Sequence, residues 1–309
     1  MMFKIRTQYF LLVIVAFTSL KMNSQQVPNY TQYLYNMQVV NPAFVGYRAE
    51  LSMSLLSREQ WVGLPGAPTT RTFSINGRTR KGLGIGATVV NDKIGLTETT
   101  NVNADVSFTL ITSRYSRLAF GLKGGVNFFT NNLANAVTVD NEVYNSLNGR
   151  FFNIGFGAVF YNRNFYVGLS VPHLLETPQF YIQDRNVQGR IAQNTNIFLS
   201  SGALFELTDK ILFKPTTMIR YTASQPISID FNANILYKEI IEAGLSYRYQ
   251  NSISALFALI IKKKYRVGYS YDYKTTNVLG NLNTHEIILH FDFDFQRNTR
   301  WLRHNKCYF

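Results

Sequence analysis

The sequence predicts an all-β fold: a transmembrane antiparallel β-barrel of outer-membrane type, about 14 strands, preceded by a signal peptide and a short N-terminal arm. Three observations predict it. From Arg48 onward apolar and polar residues alternate with a period of two, the period at which a strand turns side chains to opposite faces. The contrast between faces is that of lipid against a wet lumen. In Thr284–Phe295, Ile287, Leu289, Phe291, Phe293 and Phe295 oppose Glu286, Ile288, His290, Asp292 and Asp294. Connections after odd strands are mostly long and those after even strands short, as in barrels with long outer loops and short periplasmic turns.

Nothing in the 309 residues reads as a linker between two cores, so the chain is one domain behind its leader. Lys4 and Arg6 precede an apolar run, Tyr9–Leu20, which polar Lys21, Asn23, Ser24 and Gln25 follow. Such a run is shorter than the roughly 20 residues a membrane helix needs, and it suits a secretory signal over residues 1–24. Its removal takes Lys4, Arg6 and Lys21 from a formal charge of +13, leaving +10. Export makes nucleic acid the wrong polyanion for this balance and points to outer-membrane lipid or an acidic partner. The only cysteine, Cys307, excludes an intramolecular disulfide.

Residues 25–47 form the arm. Tyr33, Leu34 and Met37 share one face of a helical turn that Asn41-Pro42 ends, and the arm is a plain ordered segment, a periplasmic plug or a partner contact. Residues 48–295 form the barrel. Strand 1 sets Ala49, Leu51, Met53 and Leu55 against Glu50, Ser52 and Ser54; strand 2 follows a loop rich in glycine and proline, Trp61–Pro68. Strand 3 places Gly84, Gly86 and Thr88 inward, where glycine thins the wall or eases curvature. Strand 4 alternates Val102, Ala104, Val106, Phe108 and Leu110 with Asn101, Asn103, Asp105, Ser107 and Thr109. Strand 5 opposes Leu122 and Val126 to Lys123 and Asn127. Asn162-Arg163-Asn164 turns strand 6 into strand 7. Pro215 cannot donate to a ladder, which predicts a bulge in strand 9. Strands 10, 11 and 13 carry Asp230, Glu242, Arg248, Arg266 and Asp272 on their inward faces, and strand 12 is apolar on both. The expected long connections are 59–68, 91–98, 131–150, 173–194 and 274–283. A basic tail, residues 296–309, follows the last strand.

Charge is nearly absent from the outward faces. It gathers on the lumen side, where Glu50, Asp105, Lys123, Arg248, Arg266, Glu286, His290, Asp292 and Asp294 are expected. A lone Arg or Lys at the bilayer midplane costs roughly 2–4 kcal/mol, so lipid enforces this segregation.

Four ordered motifs, Tyr30–Asn36, Asn41–Arg48, Arg58–Thr69 and Gly84–Gly95, resemble the successive signatures of the PorP/SprF family, outer-membrane proteins of the type IX secretion system of Bacteroidota. The resemblance covers essentially the mature chain. It implies a non-enzymatic role: export or surface anchoring of adhesin-type cargo with a type IX C-terminal sorting domain, alongside other type IX secretion components, in some relatives for gliding motility. It marks Asn41, Pro42, Arg58, Gln60, Trp61, Gly66, Pro68, Asn91, Asp92 and Gly95 as motif residues and candidate partner contacts. The alternative is an outer-membrane diffusion channel or small-solute transporter.

Catalytic, cofactor and metal chemistry finds no footing. Gly82-Leu-Gly84-Ile-Gly86 lacks the helix and the Lys-Ser/Thr pair of a phosphate loop. Glu286, His290, Asp292 and Asp294 share a strand face, but alternate residues stand about 7 Å apart. Ion pairs with Arg266 and other lumen cations suit them better than a metal. Four histidines give no recognisable triad.

Overall fold

The computed structural model describes residues 30–79, 82–132, 147–175, 177–184, 187–193, 195–223, 225–275 and 283–294. Seven strands precede the largest connection: β1 (Leu51–Glu59), β2 (Thr69–Arg78), β3 (Leu83–Ile94), β4 (Thr97–Ile111), β5 (Arg117–Asn131), β6 (Leu147–Tyr161) and β7 (Phe165–Val171). Seven follow it: β8 (Asn196–Ala203, resuming as Phe205–Thr208), β9 (Ile211–Thr222), β10 (Ser228–Tyr237), β11 (Ile241–Arg248), β12 (Ser252–Ile261), β13 (Tyr265–Lys274) and β14 (Thr284–Phe293). Each pairs antiparallel with its sequence neighbours, and β1 meets β14 in register from Leu51↔Phe293 to Glu59↔His285. The ring closes with no free edge, the condition for extended chain to cross a bilayer. No helix among the described residues is long and apolar enough to cross a membrane.

The period-two pattern becomes the two faces of the wall. Outward Val106, Phe108, Leu122, Leu245, Phe257 and Tyr269 are exposed, and Phe152 reaches 77%. Inward Ser54, Asp105, Lys123, Asn234 and Glu286 are buried. Buried polar and exposed apolar side chains invert a soluble core, as lipid outside and a filled lumen require.

Two expectations change. The expected long connection over 91–98 is a two-residue turn, Gly95-Leu96, because β3 and β4 stay paired out to Ile94↔Thr97. Pro215 leaves β9 unbroken and paired regularly with β10 through Pro215↔Ala233. The break falls on the neighbour, where β8 is interrupted at Leu204, opposite the stretch of β9 that lacks a proline N–H. The short connection between β11 and β12 agrees with an expectation that only most connections after odd strands are long. Within the connection after β7, Thr177–Asp184 pairs with Val187–Gln193 as a separate hairpin. Expectations for the signal peptide, Gln25–Asn29, Phe295, the tail and Cys307, and most of the connections over 131–150 and 274–283, lie outside the described residues.

Candidate functional site: a filled lumen and its outer rim

The arm runs inside the barrel. Tyr30 lies toward the outer end, its hydroxyl 3.0 Å from Thr72 Oγ1, and the chain descends to Arg48 at the periplasmic end before β1 begins. On the way it makes three short 3-10 turns, Tyr33–Tyr35, Met37–Val39 and Pro42–Phe44, in place of one helical turn. Asn41-Pro42 opens the third: Asn41 Oδ1 accepts the Ala43 N–H at 2.9 Å, and proline takes the first-turn position where no donor is needed. Aromatic edges seat the arm. Phe44 meets Tyr166 with ring centroids 5.5 Å apart, and Tyr47 meets Tyr161 at 5.0 Å.

One wall holds the arm through charge. Arg58 Nη2 donates to Asp272 Oδ2 at 2.7 Å and its Nη1 to Glu286 Oε2 at 2.9 Å. The Glu286 carboxylate also accepts the backbone N–H groups of Thr31, at 3.0 Å, and Gln32, at 2.6 Å, which head the first turn. Thr31 Oγ1 donates to Asp272 at 2.8 Å. Further pairs join Arg248 to Asp230 (2.7 Å), Lys214 to Glu242 (2.9 Å) and Arg48 to Asp292 (3.1 Å). Desolvating these groups is costly, and each is compensated by a partner and by hydrogen bonds.

The opposite wall, β3 to β7, holds the arm mainly through absent side chains and bare carbonyls. A Cβ at Gly84 would overlap Val45 O, one at Gly121 would overlap Pro42 and Ala43, and one at Gly157 would overlap Asn41. Asn41 Nδ2 donates to Ala158 O at 3.2 Å and to Leu169 O at 3.4 Å; Ser170 Oγ donates to Val40 O and Ser107 Oγ to Val45 O. The inward glycines thus make room for the arm, a reason different from wall curvature. A charged pair also meets the arm here: Lys123 pairs with Asp105 at 3.2 Å and donates to Gln38 O, while Gln38 Nε2 donates to Asp105 Oδ2.

The remaining motif residues meet at the outer rim. Gly95 N–H donates to Gly66 O at 2.9 Å, and Gln60 N–H to Pro68 O at 2.9 Å, so the β1–β2 loop is closed on itself and tied to the β3–β4 turn. Gly66 has φ +74° and Gly95 φ +58°, the left-handed region that glycine enters without a Cβ penalty. Asp92 accepts from Thr70 Oγ1 at 2.5 Å, and Asn91 Nδ2 donates to Glu98 Oε1 at 2.7 Å. Lys274 stands over the Trp61 ring at 4.7 Å.

Elsewhere the pairing differs from expectation. Arg266 takes Glu242 (3.5 Å) rather than a group on β14, because its guanidinium lies over the Tyr35 ring at 4.4 Å. His290 is held by Ser54 Oγ of β1 at 2.6 Å and by Asp292 Oδ1 of its own strand at 3.0 Å. Asp294 is exposed at the periplasmic end, accepting the Glu50 N–H, instead of facing an enclosed lumen. Among the described residues no group of three His, Cys, Asp or Glu side chains could hold a metal ion. Sequence reasoning missed Thr31, Gln32, Asn36 and Gln38, polar residues buried inside the barrel. Their signal was present: hydroxyl and amide side chains interleaved with Tyr33, Leu34, Tyr35 and Met37 in a segment too polar for a core and too aromatic for a free arm.

A model of the family described as type IX secretion system membrane protein PorP/SprF matches residues 22–291. No curated protein matches. Among solved structures, the TodX deltaS2S3 mutant monoaromatic hydrocarbon channel is 8% identical, covers 84% of this chain and 94% of its own, and superposes with a TM-score of 0.50. The Ralstonia pickettii toluene transporter TbuX is 8% identical over 83% of this chain and 93% of its own, TM-score 0.49. The CymD monoaromatic hydrocarbon channel is 12% identical over 86% and 93%, TM-score 0.49. At 8% identity and a TM-score of 0.50, the first of these speaks for a common barrel and not for a common ligand.

Proposed function

Because the chain belongs to the PorP/SprF family of type IX secretion system membrane proteins, we propose that it works as an occluded outer-membrane anchor, not as a conduit. In this reading it assists export or surface retention of adhesin-type cargo bearing the sorting domain, in the service of gliding motility. Its outer-membrane place and its part in secretion are the family's. The observation that carries the finer reading is the arm: Tyr30 to Tyr47 are almost wholly buried and bound to both lumen walls. A barrel whose interior is spent on holding a segment in place has its rim left for recognition. That rim is built by Gly66, Gly95, Gln60, Pro68, Asn91 and Asp92, which fix the shape of the loops that face the outside.

The chemistry involved is non-covalent. Loops tied by backbone hydrogen bonds offer a surface organised before binding, which lowers the ordering cost of docking a large partner. The test is surface cross-linking in cells followed by purification of the barrel. Complexes containing cargo that ends in the sorting domain are expected, together with release of that cargo to the medium when the barrel is deleted. Unchanged surface retention after deletion would refute the proposal.

A further inference from the structure

Below the arm the lumen widens into a cavity of about 560 Å³ that opens at the periplasmic end. This falls within the range of about 300–1,000 Å³ usual for binding pockets. Three short turns make its rim, carrying Lys210 between β8 and β9, Lys238 and Glu239 between β10 and β11, and Lys263 and Lys264 between β12 and β13. Its floor is Arg48, Lys214, Arg266, His290 and Asp292, the groups that anchor the lower half of the arm. Seven Lys and Arg side chains line it against four carboxylates. The floor cations are engaged with Glu242 and Asp292, and Lys263 with Glu239. Among the described residues no carboxylate pairs with Lys210, Lys238 or Lys264.

A second observation concerns the turns. Lys238 and Glu239 have φ of +50° and +56°, and Lys262 and Lys263 +53° and +57°. Consecutive left-handed residues are the hairpin positions that Asn-Gly and Asp-Gly fill most readily. Holding long charged side chains there costs about 1 kcal/mol or more per residue. On the rim, Lys238, Glu239 and Lys263 are kept against local backbone preference.

We propose that this vestibule docks an acidic peptide segment of a periplasmic partner; the proposal rests on the secretion role above and names where a component of that machinery would engage the barrel. Two features select a peptide. The lysines without a carboxylate partner, of which Lys238 lies over the Tyr237 ring at 5.2 Å, are spread over three turns instead of converging on one point, so the ligand has to present several negative charges along an extended path. The cavity also lies inside the ring of strands, on the side of the wall away from lipid. Because Arg48 and Arg266 form part of the floor, the segment would rest against the residues that fix the arm.

The test uses the full mature barrel in neutral detergent and a short fluorescently labelled Glu/Asp peptide, followed by anisotropy. The peptide is expected to bind saturably, to weaken with added salt, and to bind about tenfold more weakly to a K210Q/K238Q/K264Q variant. The three sites are exposed turn positions, and heat-modifiable migration on gels reports whether the variant barrel is folded. Absence of saturable binding, or equal affinity for the variant, would overturn the proposal. Displacement by inorganic phosphate at matched charge would overturn it in favour of a simple anion site, and displacement by phosphatidylglycerol micelles in favour of a lipid site. If the peptide fails to bind while cargo retention still depends on the barrel, the docking inference alone falls. If it binds while retention is unaffected by deletion, the anchoring reading is what fails.

Discussion

The two walls of the lumen hold the same segment by opposite means. The β13, β14 and β1 side meets the arm with ionised groups, Arg58, Asp272 and Glu286, each neutralised by another and by the arm's own N–H groups. The β3 to β7 side meets it with glycines and main-chain carbonyls, at Gly84, Gly121, Gly157, Ala158 and Leu169. The first arrangement fixes register, because a carboxylate that caps Thr31 and Gln32 cannot serve a shifted chain. The second fixes distance, because a backbone can approach a wall only where no Cβ intervenes. Position along the lumen and depth against its side are therefore set by different residues and should fail separately.

The largest effect is expected on the charged wall. Arg58→Met strands Asp272 and Glu286 together without the guanidinium that hydrogen-bonds both, and loss of one partner from a buried pair costs about 3–5 kcal/mol. Urea unfolding of the detergent-solubilised barrel reads this as a lowered midpoint; an unchanged midpoint would show that the charges do not hold the arm. On the small-residue wall, Gly121→Val forces the arm away from β5 at a cost of about 1–3 kcal/mol. It should also raise the ion leak in a planar bilayer. A tight, stable variant would mean that the close approach is incidental.

Asn41→Ala removes the cap of the third turn and two bonds to wall carbonyls, for about 1–2 kcal/mol by the same unfolding measurement. At neutral pH the smallest effect is one of protonation. Burial, helped by the nearby Lys123, lowers the His173 imidazole to about 4 from its ordinary 6.5. The unfolded chain therefore binds the proton first, so stability is unaffected above about 6.5 and falls as pH drops from there toward 4. His173→Asn should flatten that slope, and an identical slope in the variant would remove His173 as its cause.

The fold was legible because lipid punishes errors of pattern. Phe108 and Asp105 could not exchange faces, so alternation located most of the strands, with strand 12, apolar on both faces, an exception. The ends of strands were less legible, since nothing apolar marks where β3 and β4 leave the membrane and continue paired to Ile94 and Thr97. Pro215 announced an irregularity but not which strand would carry it, because the missing donor is felt by the partner across the ladder. The site was legible as a set of inward charges and not as a set of pairs. Arg266 lies beside His290 in the ladder, yet its partner is decided by Tyr35, which comes from the far end of the chain. Glycine at 84, 121 and 157 is silent in one dimension, because what it makes room for arrives from residues 41 to 45.

Current through single barrels in a planar bilayer tests the central claim most directly. The intact mature protein should show no steady open-pore current, and deletion of residues 26–47 should produce one. A large, steady current from the intact barrel would contradict the account.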